Sequence, residues 1–173
     1  MSDIDSMFAD LFEKHYDSLM HYCIVKKIRY HDAEDIVSEA YERALKKSWQ
    51  LFSLNENQQK TWLYTAVSLI IKERVAKNGQ SIFGDLDLFT NYVQKTNAID
   101  EFHDSDNFDA CLREITDSLK SPKERELFKL IFDEKINYEA LSEKYDISQN
   151  ACRVKVLRLR RKLRKITDEF FKE

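Results

Sequence analysis

Glycine and proline are almost missing from this 173-residue chain: Gly79 and Gly84 are its two glycines and Pro122 its one proline. Hairpins, sandwiches and barrels need the turn chemistry those residues supply, so a β-rich fold is disfavoured. Cysteine is scarce as well. Cys23, Cys111 and Cys152 are odd in number, widely spaced and without a Cys-x-x-Cys pair. That pattern excludes a disulfide framework or zinc knuckle and fits reduced thiols in a cytoplasmic protein. No window approaches the roughly 20 apolar residues of a membrane span, so no membrane insertion is expected. The opening Met-Ser-Asp-Ile-Asp-Ser lacks the basic start and apolar run of a signal peptide. The four histidines (His15, His21, His31 and His103) have no ligand spacing, and no glycine-rich phosphate loop exists. No metal, cofactor or catalytic residue is expected. The chain does not read as an enzyme.

What is abundant is Leu, Lys, Glu, Arg and Ala in long stretches, which favours helix. The fold class expected is all-α. A net charge of −3 conceals a strong polarity along the chain. Residues 148–166 hold eight Lys or Arg and no acid, whereas residues 96–121 hold seven acids and two bases. Local polarisation of this kind points to nucleic acid.

Phe8, Leu11, Phe12, Tyr16, Leu19 and Cys23 recur at three- and four-residue steps and mark a first amphipathic helix. His15 and His21 fall at the margins of its apolar face. A break over residues 29–31 follows, and Asp32 is the expected N-cap of a second helix. There Ile36, Val37, Ala40, Tyr41, Ala44 and Leu45 form the apolar face. The polar stretch 53–60 interrupts the pattern before a strongly apolar helix from Thr61 to about Val75. Periodicity then fails over residues 79–107, an acidic segment too long for an ordinary loop. The expected division is therefore a helical domain over 1–78, an acidic linker over 79–107 and a second helical domain over 108–173.

In the second domain, Ser121-Pro122-Lys123-Glu124 reads as a helix start, with Ser as N-cap, Pro in the first helical position and Glu closing a capping box. Asn137 can cap a short helix over Tyr138–Tyr145, and Ser148 the last one. On that last helix Cys152, Val156, Leu159, Leu163 and Ile166 fall in one narrow stripe, and basic residues dominate the remaining surface. The pair forms a helix-turn-helix pattern, whose second helix enters the DNA major groove. Ser142 would sit at the close crossing and Ile147 in the turn. Val154 and Leu157 lie on the charged side, where they suit thymine methyl groups, while Arg153 and Arg158 suit guanine or phosphate. A merely solvated basic helix is the bland alternative.

In the first domain Asp35, Glu39 and Glu42 line the polar face of the second helix. The run Asp32-Ala33-Glu34-Asp35-Ile36-Val37-Ser38-Glu39-Ala40-Tyr41-Glu42-Arg43-Ala44-Leu45 resembles conserved region 2.2 of the extracytoplasmic-function sigma factors of bacterial RNA polymerase. Trp62-Leu63-Tyr64-Thr65-Ala66 is similar to the opening of their next helix. Ser121-Pro122-Lys123-Glu124-Arg125-Glu126 and Tyr138-Glu139-Ala140-Leu141 resemble the start of their region 4. The motifs stand in the family's order and span nearly the whole chain.

The resemblance implies an alternative sigma factor that directs core RNA polymerase to promoters. Asp35, Ser38, Glu39 and Glu42 would dock on the clamp helices of the largest catalytic subunit, offering carboxylates to a basic partner. Asn55, Asn57, Gln58, Gln59, Lys60, Trp62, Lys72 and Arg74 would hold the unwound −10 strand, amides on base edges and cations on phosphates. For Trp62 and Tyr64, core packing competes with base stacking. Ser148, Arg153, Val154, Lys155, Leu157, Arg158, Arg161 and Lys162 would read the duplex −35 element. The linker would run through polymerase, and the flap of the second-largest subunit is a further implied contact. An anti-sigma factor or other recruiting protein is a partner of the kind the family uses.

Four departures from the family pattern stand out, one of them a slightly longer segment between Leu45 and Trp62. Asp146 replaces the usual turn glycine, which aspartate's tolerance of left-handed backbone permits. Thr65 and Ser68 replace the customary Arg and Asn. Val154 replaces a polar residue. Two other readings compete: a stand-alone helix-turn-helix regulator, which explains only the second domain, and a helical adaptor that contacts proteins alone.

Overall fold

The computed structural model describes residues 3–78, 99–132 and 136–172. The expected linker lies outside the described residues over 79–98, as do the side chains of 99–106. Among the described residues the regular structure is all helix: α1 (Asp3–Val25), α2 (Tyr30–Lys46), α3 (Ser48–Phe52), α4 (Glu56–Asn78), α5 (Ile99–Ser118), α6 (Pro122–Phe132), α7 (Tyr138–Tyr145) and α8 (Gln149–Phe170). Two compact units result, Met1–Asp109 and Ala110–Glu173.

In the first unit α1, α2 and α4 pack pairwise, and α3 closes one end. Helix α4 buries every residue of the run 61–67, so it has no solvent face there and forms the centre. Around it lie Leu19, Tyr22 and Cys23 of α1 and Ile36, Val37, Ala40 and Ala44 of α2, all fully buried. Phe108 stacks on Tyr64 with ring centroids 4.2 Å apart, and Asp109 accepts hydrogen bonds from the Tyr22 hydroxyl at 2.8 Å and the Lys26 ammonium at 3.0 Å. Helix α5 thus begins inside the segment expected to be linker.

Several boundaries differ from the sequence expectation, each for a local reason. Asp32 is not the N-cap of α2. The helix starts at Tyr30 with Arg29 as its cap residue, and Asp32 sits in the first turn, where it accepts from Arg29 Nε at 2.6 Å. The chain leaves α1 through Lys27, a non-glycine residue at φ 64. The Lys27 and Ile28 amides donate to Ile24 and Cys23 carbonyls at 2.8 and 3.1 Å, the paired bonds that end a helix at a left-handed residue. Helix α4 starts at Glu56 and not at Thr61. His15 and His21 are buried rather than marginal, and Leu45, expected in the apolar face of α2, is 51% exposed.

The second unit is built as its caps dictate. Glu124 N–H donates to Ser121 Oγ at 3.2 Å, and the Glu124 carboxylate accepts from the Ser121 and Lys120 amides at 3.3 and 2.8 Å. Asn137 Oδ1 accepts from Glu139 and Ala140 N–H, and Ser148 Oγ from Ala151 N–H. Between α7 and α8, Asp146 holds the left-handed conformation at φ 51. Ser142 ties the turn twice: its carbonyl accepts from Ile147 N–H at 3.2 Å, and its hydroxyl donates to the Ile147 carbonyl at 2.6 Å. Cys152, Val156 and Leu159 of α8 are buried, while Leu163 and Ile166 are half-buried. Helices α6 and α7 both pack on α8.

Candidate functional site

The carboxylates of α2 divide into two kinds. Asp35 and Glu42, with Ser38, are exposed. Glu39 turns toward α4 instead, accepting from Arg43 Nη2 at 2.8 Å and from Arg74 Nη2 at 3.0 Å. Arg43 is itself buried and donates to Glu73 at 2.7 Å. Burial alone would lower its pKa, but the two carboxylates more than offset this and raise it. Glu39 is therefore a structural tie between α2 and α4, and Arg74, expected on DNA phosphate, is its partner.

Leu45 of α2 and Trp49 of α3 are 51% and 83% exposed. Neither was singled out from the sequence as a surface residue. On a helical wheel Leu45 lies nearer the acids than the centre of the apolar face, a signal that was available.

The polar stretch before α4 is mostly spent on local structure. Gln58 N–H donates to Asn55 Oδ1 at 2.9 Å and Asn55 N–H to Gln58 Oε1 at 3.2 Å, a reciprocal capping arrangement. Gln59 Nε2 donates to the Leu54 carbonyl at 2.9 Å. The Lys60 ammonium lies 5.0 Å from the centroid of the Phe108 ring. Trp62 and Tyr64 are buried, and Thr65 is buried with its hydroxyl donating to the Thr61 carbonyl at 2.7 Å. Asn57 and Lys72 are exposed. The structure thus does not gather the eight residues expected on the −10 strand, Arg74 among them, on one open surface.

In the second unit the basic helix presents Arg153, Lys155, Arg158, Arg161, Arg164 and Lys165 to solvent. Val154 and Leu157 are 44% and 45% exposed among them. The Arg153 guanidinium sits 5.1 Å from the Tyr138 ring centroid and donates to Asn150 Oδ1 at 3.0 Å, so its direction is held. Lys162 points inward, donating to the Ser118 carbonyl with its ammonium 3.7 Å from Glu124. Ser148 is used as the helix cap. Arg160 is half-buried, and burial lowers its pKa. Such a face can grip a polyanion through its cations while two apolar side chains meet methyl groups.

Among the described residues no helix is long and apolar enough to cross a membrane, and no group of His, Cys, Asp or Glu is placed to hold a metal ion. Residues 11–80 match the family model described as Sigma-70 region 2. The match lies within the first unit and covers α2 and α4, the helices that carry the acidic stripe and the buried Trp62. No curated protein and no solved structure matches the chain.

Proposed function

We propose that this chain is an alternative sigma factor of the extracytoplasmic-function type, acting in the cytoplasm with core RNA polymerase. The observation that carries the reading is the pairing of a sigma-70 region 2 match over residues 11–80 with a separate unit ending in a capped, cationic helix-turn-helix. Residues 1–78 bind core enzyme and the −10 element, 79–107 serve as the linker, and 108–173 read the −35 element. Asp35, Ser38 and Glu42 supply the exposed part of the docking surface for the clamp helices, and Glu39 braces it from within. Arg153, Val154 and Leu157 face the bases of the −35 duplex. An anti-sigma factor or another recruiting protein regulates access to these faces.

Physically, two weak sites become one strong one when a scaffold holds both. Core polymerase is that scaffold. The test is in vitro transcription by core enzyme on a promoter library, with and without the purified chain. Initiation at a defined set of sites, dependent on the chain, is expected. A stand-alone regulator would instead protect a duplex operator without polymerase, and a protein-only adaptor would tolerate charge reversal at Arg153, Lys155 and Arg158.

A further inference from the structure

A cavity of about 260 Å³ opens in the second unit where the first turn of α6 meets α8. Leu127, Ile147, Leu159 and Tyr145 give it apolar lining, and Leu127 and Leu159 are buried. Its other lining residues are Ser121, Glu124 and four cations, Lys123, Lys155, Arg158 and Lys162. Small-molecule sites run from roughly 300 to 1,000 Å³, so this space suits one group of a larger ligand better than a whole cofactor.

The charges in it are not equivalent. Glu124 already accepts from two backbone amides and faces Lys162, which in turn donates to the Ser118 carbonyl. Those two groups belong to the scaffold. Lys123 is held at the mouth, its ammonium 5.2 Å from the Tyr145 ring centroid, and Tyr145 is anchored by donating to Glu126. Lys155 and Arg158, one turn apart on α8, are exposed and contribute to the same cavity. Three exposed cations lining a cavity with buried Leu127 and Leu159 suit a tetrahedral oxyanion with a hydrocarbon neighbour, which is what a phosphodiester next to its deoxyribose presents.

We infer that this cavity seats a backbone phosphate of the −35 duplex, held by Lys123, Lys155 and Arg158. The inference rests on the proposed DNA-binding role and refines it. Lys155 and Arg158 set the register of the recognition helix and read no base, whereas sequence is read by Arg153, Val154 and Leu157. Lys123, which no sequence motif marked as a contact, joins the interface from α6.

The test uses holoenzyme, assembled from the full chain and core polymerase, on a promoter recovered from the library. Replacing Lys123, Lys155 and Arg158 together by Met should flatten the slope of log affinity against log salt by about one, and Lys123→Met, Lys155→Met and Arg158→Met should each flatten it by part of that. Each should leave the ranking of single-base −35 variants as in the unsubstituted protein. Replacing the phosphates one at a time by neutral methylphosphonates should reveal one position that weakens binding of the unsubstituted protein and adds nothing to the loss of the triple variant. Circular dichroism melts confirm that each variant is folded. An unchanged salt slope for Lys123→Met, or a collapse of discrimination at one base for Lys155→Met or Arg158→Met, overturns the seat. The same holds if every methylphosphonate costs the triple variant and the unsubstituted protein alike. If the chain directs no initiation at all, the DNA-binding reading fails first and takes the seat with it.

Discussion

Replacing Glu39 by alanine separates bracing from docking on α2. The carboxylate bridges Arg43 at 2.8 Å and Arg74 at 3.0 Å, residues that tie α2 to α4. Arg43 has a side chain only 11% exposed, so its lost hydrogen bond falls in the charged range of about 1.5–3 kcal/mol. Two facts reduce that figure. Arg43 keeps Glu73 at 2.7 Å, and the Glu39 side chain is 34% exposed and partly screened. The Arg74 pair adds only the few tenths to 1 kcal/mol of a surface ion pair. A net cost of about 2 kcal/mol follows, which lowers the melting midpoint of a domain near 100 residues by roughly 8 °C or more. Both tryptophans, Trp49 and Trp62, lie in the first unit, and Trp62 is buried while Trp49 is exposed. Tryptophan fluorescence, selectively excited, therefore follows unfolding of this unit alone. Asp35→Asn is the control: Asp35 is exposed, so its midpoint should hold while affinity for core enzyme falls. An unchanged midpoint in Glu39→Ala would refute the bracing role.

Asp146→Val should destabilise the second unit by about 1 kcal/mol, because a β-branched residue resists the left-handed backbone found there at φ 51; denaturant unfolding followed by helix signal measures it, and Asp146→Gly should show no loss. Burial pushes the Cys23 thiol up to about 12 and the Cys111 thiol up to about 11, so iodoacetamide at pH 8 should label both slowly in native protein and fast in denaturant, as mass spectrometry of the peptides would show. The Lys144 ammonium and the Tyr145 hydroxyl hold the Glu126 carboxyl below the usual carboxylate range. Its folded pKa lies below its unfolded one, so its contribution is complete above the unfolded value and disappears as pH falls through the folded one. Acid titration of Glu126→Gln should therefore lose less stability in that window than the unsubstituted chain; parallel curves would remove the assignment.

Parts of this architecture were legible because they depend on neighbours within one or two turns. The caps at Ser121, Asn137 and Ser148 and the buried stripe through Cys152, Val156 and Leu159 each follow from spacings of two to four residues. The Asn55 and Gln58 capping pair was equally local, yet its polar flanks disguised a helix start as loop. Lys27 offered no such cue, since lysine seldom ends a helix in left-handed geometry.

The sequence by itself determined an all-helical chain with an acidic face early and a cationic helix late, because helix periodicity and capping are short-range physics. Only the tertiary structure decided which of those charges remain available. Glu39 meets Arg74 from 35 positions away, and Lys162 meets Ser118 from 44. Lys123 reaches the mouth shared with Lys155 and Arg158 only once α6 packs on α8. A side chain's partner depends on which helices cross near it, and pattern along one helix carries no record of that crossing.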